Sequence, residues 1–189
     1  SKLPTSTTLR MLRALEHWGY VSRGTSGQYS LGERFVQSTV SNDHARAEDL
    51  IDLSGPIMQR LTAETQESSY LAIPGPANTC TFLREVQSSL PIRHVGFDGW
   101  AGRTVSMSGS VAGEIFEGRT PELGYVVMAA VDDPDATVVG APVRSASGAL
   151  IAAISIAGPS FRMTGSRIAE FGRAVVAAAG ELAEHLEAR

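Results

Sequence analysis

Leu3-Pro4-Thr5-Ser6-Thr7-Thr8-Leu9-Arg10-Met11-Leu12-Arg13-Ala14-Leu15-Glu16 is the stretch from which the fold is read. Leu9, Leu12 and Leu15 recur every three residues, with Met11 and Trp18 close by, the spacing of one helical face. Pro4 suits the first turn of that helix, where its missing N–H would have no intrahelical partner. Thr5, Ser6, Thr7 and Thr8 crowd the N-terminal end, where hydroxyls can cap open backbone N–H groups. Gly19 is a stop signal. Tyr20-Val21-Ser22-Arg23 and Gln28-Tyr29-Ser30-Leu31 then flank Gly24-Thr25-Ser26-Gly27, the pattern of a β-hairpin. A helix running directly into a hairpin is the second half of a winged helix-turn-helix.

That geometry suits double-stranded DNA. A recognition helix presents its N-terminal residues to base edges in the major groove, and hydroxyl and arginine side chains fit there. The candidate contacts are Thr5, Ser6, Thr7, Thr8 and Arg10 on the helix, and Arg23, Gln28 and Tyr29 on the hairpin. The plainer reading of the hydroxyls is that they only cap a core helix. Charge separates the two ends of the chain. Net charge is −4 over 189 residues. Residues 1–34 hold five basic side chains (Lys2, Arg10, Arg13, Arg23, Arg34) against Glu16 and Glu33, whereas the rest is acidic. A basic end on an acidic body is expected where one module meets phosphate and the other does not.

The stretch 3–16 resembles the "LPKSTVHRLLxxLE" recognition helix of IclR-type regulators, Trp18-Gly19-Tyr20-Val21 their "LGYV", and Gln28-Tyr29-Ser30-Leu31-Gly32 the "YxLG" that closes their wing. The resemblance therefore starts inside the winged helix-turn-helix and covers its C-terminal half. Further on, Ser68-Ser69-Tyr70-Leu71-Ala72 is similar to the first strand of the family's sensor domain, Gly140-Ala141-Pro142-Val143 to its "AAPV", and Ala152 to Pro159 to its "AAISISGP". The resemblance implies a GAF-like domain whose six-stranded sheet cups a small molecule, a dimer or tetramer, and operator DNA as the partner.

The residues themselves support an α+β chain in three parts: the DNA module at 1–33, a polar linking helix at 34–49, and a sensor and oligomerisation domain at 50–189. Leu50, Leu53, Ile57 and Leu61 keep helical spacing, and Pro56 either starts a new helix or kinks this one. Ser69–Ile73, Thr79–Val86 and Leu90–Val95 read as strands. Thr137–Arg144 and Ala149–Ala157 read as a hairpin around Ser145-Ala146-Ser147-Gly148, the second arm apolar on both faces like a central strand. Ile168, Phe171, Val175, Ala179, Leu182 and Leu186 mark a C-terminal helix.

By the resemblance, the effector pocket falls on Ile92 and Val95, on Gly109 and Ser110, on Val138 and on Ser155, with Asp132 or Asp133 at its mouth. N–H groups left free at Gly109 and Ser110 would suit a ligand carboxylate. The sequence departs from the family in three places. Ala157 replaces a second serine, no lysine occupies the "GAGKA" counterpart at 109–113, and the segment Glu114–Val139 is short. The first departure, with Val138 where some relatives carry cysteine, points to a less polar pocket and a more hydrophobic or aromatic effector, within the small carboxylate or aromatic class expected for the domain. No cofactor and no metal is expected. His17, His44, His94 and His185 are scattered, and Ser155 lacks a nucleophile-elbow context, so no catalytic residue is assigned. Cys80, the one cysteine, reads as a buried inert thiol, and a cytoplasmic chain with no membrane segment is expected. The alternative is a DNA-binding or assembly module that senses nothing.

Overall fold

A computed structural model describes residues 5–18, 20–23, 29–31, 43–93, 101–131 and 133–188. The chain divides into two compact units, Ser1–Glu48 and Asp49–Arg189.

In the first unit, helix α1 (Thr5–His17) follows the leucine spacing. It is followed by strands β1 (Val21–Arg23) and β2 (Tyr29–Leu31), which pair antiparallel with Arg23 opposite Tyr29. Pro4 and Gly19, the expected start and stop signals, lie outside the described residues, as do the hairpin turn and most of the expected linker.

The second unit begins along helix α2 (Asp43–Thr65). Pro56 neither starts nor ends it. Proline withdraws the donor that would reach the Asp52 carbonyl. One residue earlier, the Ile51 carbonyl gains two extra donors, Ser54 Oγ at 3.1 Å and the Arg84 guanidinium at 2.7 Å. Then come β3 (Ser68–Gly75), β4 (Thr79–Val86), β5 (Thr104–Ser106), the short helix α3 (Val111–Phe116), β6 (Val126–Ala130), β7 (Asp133–Arg144), β8 (Leu150–Pro159) and helix α4 (Gly165–Glu187). Six strands form one sheet in the order β5-β4-β3-β8-β7-β6, every neighbour antiparallel. Strand β8 is central, as its two apolar faces require.

Alternation along the strands sorts side chains to two faces. Leu71, Val139, Ala141, Val143, Ile154 and Ile156 face the main core with Ile57, Met58 and Leu61 of α2 and Phe171, Val175 and Leu182 of α4. The opposite face carries the much shorter α3, whose Val111 and Ile115 pack with Val126 and Ala153. Six residues of helix cannot cover a six-stranded sheet. The exposed remainder of this face is where the cavity lies.

The structure corrects two expectations. Leu90–Val95 is not a strand over its described part, 90–93. Its backbone groups are met by side chains: Leu90 N–H donates to Ser88 Oγ at 3.2 Å, and the Arg162 guanidinium donates to the Ile92 carbonyl at 2.6 Å. Strands β5 and β6 were not expected, and β6 lies within the short 114–139 segment.

Candidate functional site

On the face shared with α3, an apolar cavity of about 360 Å³ opens between the sheet and the helix. Its size falls within the range of about 300–1,000 Å³ usual for small-molecule sites. The floor is built across β3 and β8, where Tyr70 faces Ser155 and Ala72 faces Ala153. Cys80 and Phe82 of β4 and Val105 of β5 form one wall, and Val138 of β7 with Ala129 and Ala130 of β6 the other. The Tyr70 and Phe82 rings meet edge to face, 6.1 Å apart at 84°. Gly140 brings α3 down onto the floor, since a Cβ there would stand 2.6 Å from Val111 Cγ1.

Ser110 closes the cavity at the start of α3. Its hydroxyl accepts the Gly113 N–H at 3.1 Å and donates to the Met107 carbonyl at 2.7 Å, the ordinary duty of an N-cap serine. The Ser110 N–H also donates to Met107 O, at 3.1 Å. Of the two N–H groups read from sequence as free for a carboxylate, that of Ser110 is therefore already bonded. Ser155 Oγ, by contrast, engages no hydrogen-bond partner among the described residues. Burial pushes the Cys80 thiol up to about 11, so it stays protonated and neutral near pH 7.

The expected effector residues are dispersed. Ser110, Val138 and Ser155 line the cavity together. Gly109 precedes Ser110 with φ +70° and is not part of the lining. Ile92 is 63% exposed and also outside it. Val95 and Asp132 lie outside the described residues. The Asp133 carboxylate accepts the Asp135 N–H at 3.0 Å and does not reach the lining. Ala157, read as making the pocket less polar, is fully buried away from it. Tyr70, Ala72, Cys80, Phe82 and Ala153 were missed. The available signal was alternation: Tyr70 with Ala72, Cys80 with Phe82, and Ala153 with Ser155 are each two residues apart, hence on one face.

In the first unit, Thr5, Ser6, Thr7 and Thr8 make the first turn of α1, and Arg10 and Arg13 are exposed. The Arg23 guanidinium lies 5.7 Å from the centre of the Tyr29 ring across the hairpin. Gln28 is outside the described residues. Leu9, Met11, Leu15 and Trp18 are exposed within the chain.

Among the described residues no group of three or more His, Cys, Asp and Glu side chains could hold a metal ion. No helix among them is long and apolar enough to cross a membrane.

Residues 104–184 match the family model described as the bacterial transcriptional regulator IclR C-terminal domain. The HTH-type transcriptional regulator KipR of Bacillus subtilis (strain 168) is 29% identical over 91 residues, 48% of this chain and 35% of that protein. The match thus spans about a third of that relative's length. Two solved structures share the fold. An IclR homologue from Microbacterium hydrocarbonoxydans, complexed with 4-hydroxybenzoate, superposes with a TM-score of 0.63 at 20% identity, covering 99% of this chain and 88% of that one. The Thermotoga maritima IclR gives 0.63 at 17% identity, covering 97% and 86%.

Proposed function

We propose that the chain is a ligand-responsive transcriptional regulator of the IclR type, a reading supported by the match of residues 104–184 to the IclR C-terminal model. In this reading residues 1–33 contact operator DNA, 34–49 link, and 50–189 bind an effector and oligomerise. The observation that carries it is the cavity on the helix-poor face of the sheet, mostly apolar with a few fixed hydroxyls, which is the make-up of a small-molecule site. The related structure complexed with 4-hydroxybenzoate supports a ligand of similar size, a carboxylate or an aromatic. We assign effector contacts to Ser110, Val138 and Ser155, with Gly109, Ile92, Val95 and Asp132 as further candidates.

For DNA, we assign Thr5, Ser6, Thr7, Thr8 and Arg10 to the major groove and Arg23, Gln28 and Tyr29 to the flanking backbone or minor groove. A homo-oligomer would place two such modules on one operator. Regulation, not catalysis, is the proposed activity.

Two measurements test this. Operator affinity, by fluorescence anisotropy, should fall steeply with salt as counterions are released. Arg10→Ala should weaken binding without altering the circular dichroism spectrum, and unchanged affinity would remove Arg10 from the interface. A thermal-shift screen of small organic compounds should raise the melting temperature, because a ligand at 100 times its Kd stabilises by about 2.7 kcal/mol. A screen in which nothing stabilises the chain leaves a DNA-binding or assembly module without a sensor.

A further inference from the structure

We propose that the cavity selects an uncharged aromatic ligand bearing a hydroxyl group, and discriminates against the same ring carrying a carboxylate. This rests on the effector-site reading above and adds the chemistry of the ligand.

The first argument is charge. No described residue of the lining is basic or acidic. An anion taken out of water needs a paired cation or several donors, and without them burial is strongly unfavourable. Three arginines of neighbouring elements are engaged elsewhere. Arg84 on β4 donates to the Ile51 carbonyl of α2, on the far side of the sheet. The Arg162 fork holds Glu67 and the Ile92 carbonyl. Arg119, beyond α3, pairs with Glu114 and Glu117. At the start of α3, Ser110 caps Gly113 N–H and its own N–H is bonded to Met107 O.

The second argument is shape. Ala72, Ala153 and Ser155 leave the sheet floor nearly bare of side-chain volume, so a flat body can lie on it. The wall beside it supplies the Phe82 and Tyr70 rings and the neutral Cys80 sulfur. Aromatic edges and sulfur favour an aromatic guest over an aliphatic one of equal area.

The third argument is the uncommitted hydroxyl on the floor. Among the described lining residues Ser110 is occupied as a cap, and Ser106 Oγ accepts the Ser108 N–H at 3.3 Å. Ser155 Oγ stands on the floor with no protein partner among the described residues. A hydroxyl can both donate and accept, so it pairs with a phenol or alcohol in either sense. One such group orients a ring but does not neutralise a carboxylate.

Isothermal titration of the full chain at pH 7.5 with four probes decides the matter: p-cresol, toluene, 4-hydroxybenzamide and 4-hydroxybenzoate. The amide and the carboxylate are nearly isosteric and differ in charge, whereas p-cresol and toluene differ in the hydroxyl. We expect 4-hydroxybenzamide to bind at least tenfold tighter than 4-hydroxybenzoate, and p-cresol tighter than toluene. Ser155→Ala should weaken p-cresol by about three- to tenfold, one hydrogen bond's worth, and leave toluene unchanged. Equal or tighter binding of 4-hydroxybenzoate overturns the proposal while leaving an effector site in place. So does an equal loss of toluene affinity in the Ser155→Ala protein, since the serine would then act through packing. Failure of all four probes to bind overturns the proposal too. A melting-temperature gain with another compound class would then show that the site still senses something, and its absence would bring down the effector-site reading as well.

Discussion

At Gly113 an added Cβ would stand 2.2 Å from the Met107 carbonyl oxygen. That oxygen is fixed from another side, accepting both the N–H and the hydroxyl of Ser110. It is backbone, so it cannot swing away as a side-chain tip would. Two effects oppose each other in Gly113→Ala. Alanine gains up to about 1 kcal/mol of helix propensity, whereas overpacking costs about 1–3 kcal/mol or more. The clash should win, and urea unfolding should show a net loss of about 1–2 kcal/mol; a more stable variant would mean that α3 shifts freely. Cys80 gives a second residue-scale expectation. Its thiol is pushed by burial from an ordinary 9.0 to about 11. At pH 8 its thiolate fraction is then about a hundredth of that of an ordinary thiol. Iodoacetamide should modify the folded chain at least that much more slowly than the chain in guanidinium. Because the folded state keeps a proton that the unfolded state releases, the stabilisation is complete below pH 9 and is lost as pH rises towards 11. Cys80→Ala should flatten that part of the stability profile, and an unchanged slope would assign it to other groups.

At the scale of elements, one ion pair ties the start of the sheet to its end. Glu67, 1% exposed, lies just before β3, and both its oxygens accept from the Arg162 guanidinium at 2.8 Å, from Nε and Nη2. The carboxylate also packs against β8, since a Cβ at Gly158 would stand 2.3 Å from Glu67 Oε2. The same guanidinium holds the Ile92 carbonyl. Removing Arg162 strands a buried carboxylate, so Arg162→Ala should cost about 3–5 kcal/mol in urea unfolding. Arg162→Lys keeps the charge but not the fork and should fall between. Adding Glu67→Gln to Arg162→Ala should recover part of the loss, and no recovery would mean that the arginine acts by packing alone. This pair also explains what the sequence hid. Regular elements were legible because their signal is local: the leucine steps of α1, the β7–β8 arms around Ser145–Gly148 and the spacing of α4 lie in contiguous windows. Leu90–Arg93 has the apolar look of a strand, but the nearby Ser88 takes the Leu90 N–H and Arg162, distant in sequence, takes the Ile92 carbonyl. The cavity was legible only in part. Ser155 meets Tyr70 through strand register, and Cys80 meets Val105 the same way, which no spacing along the chain reveals. The duty of Ser110 as a cap was open to reading, because a serine three residues before the N–H that donates to it is a local pattern.

For the whole molecule, a regulator requires more than a DNA module and a cavity. It requires that occupancy of one change the affinity of the other. The basic residues of the first 34 positions and the uncharged cavity of the second unit recognise opposite kinds of partner, a polyanion and a neutral ring in our proposal. Neither ligand can therefore displace the other by competing for one site, and any influence between them must pass through the protein. Linkage makes that influence reciprocal: if ligand changes operator affinity by a factor, operator changes ligand affinity by the same factor. Coupling free energies are typically about 1–3 kcal/mol, a factor of about 5–150. The expectation is measured in two directions. An operator fragment selected by the chain from a random-sequence pool is titrated by anisotropy with and without saturating p-cresol, and p-cresol is titrated calorimetrically with and without the operator. The two ratios should agree and both differ from one by at least fivefold. If both equal one, the cavity binds without signalling, and the chain is a DNA-binding module with an uncoupled pocket. If p-cresol weakens operator binding, the ligand relieves a repressor or releases an activator; if it strengthens binding, the ligand is a corepressor or coactivator.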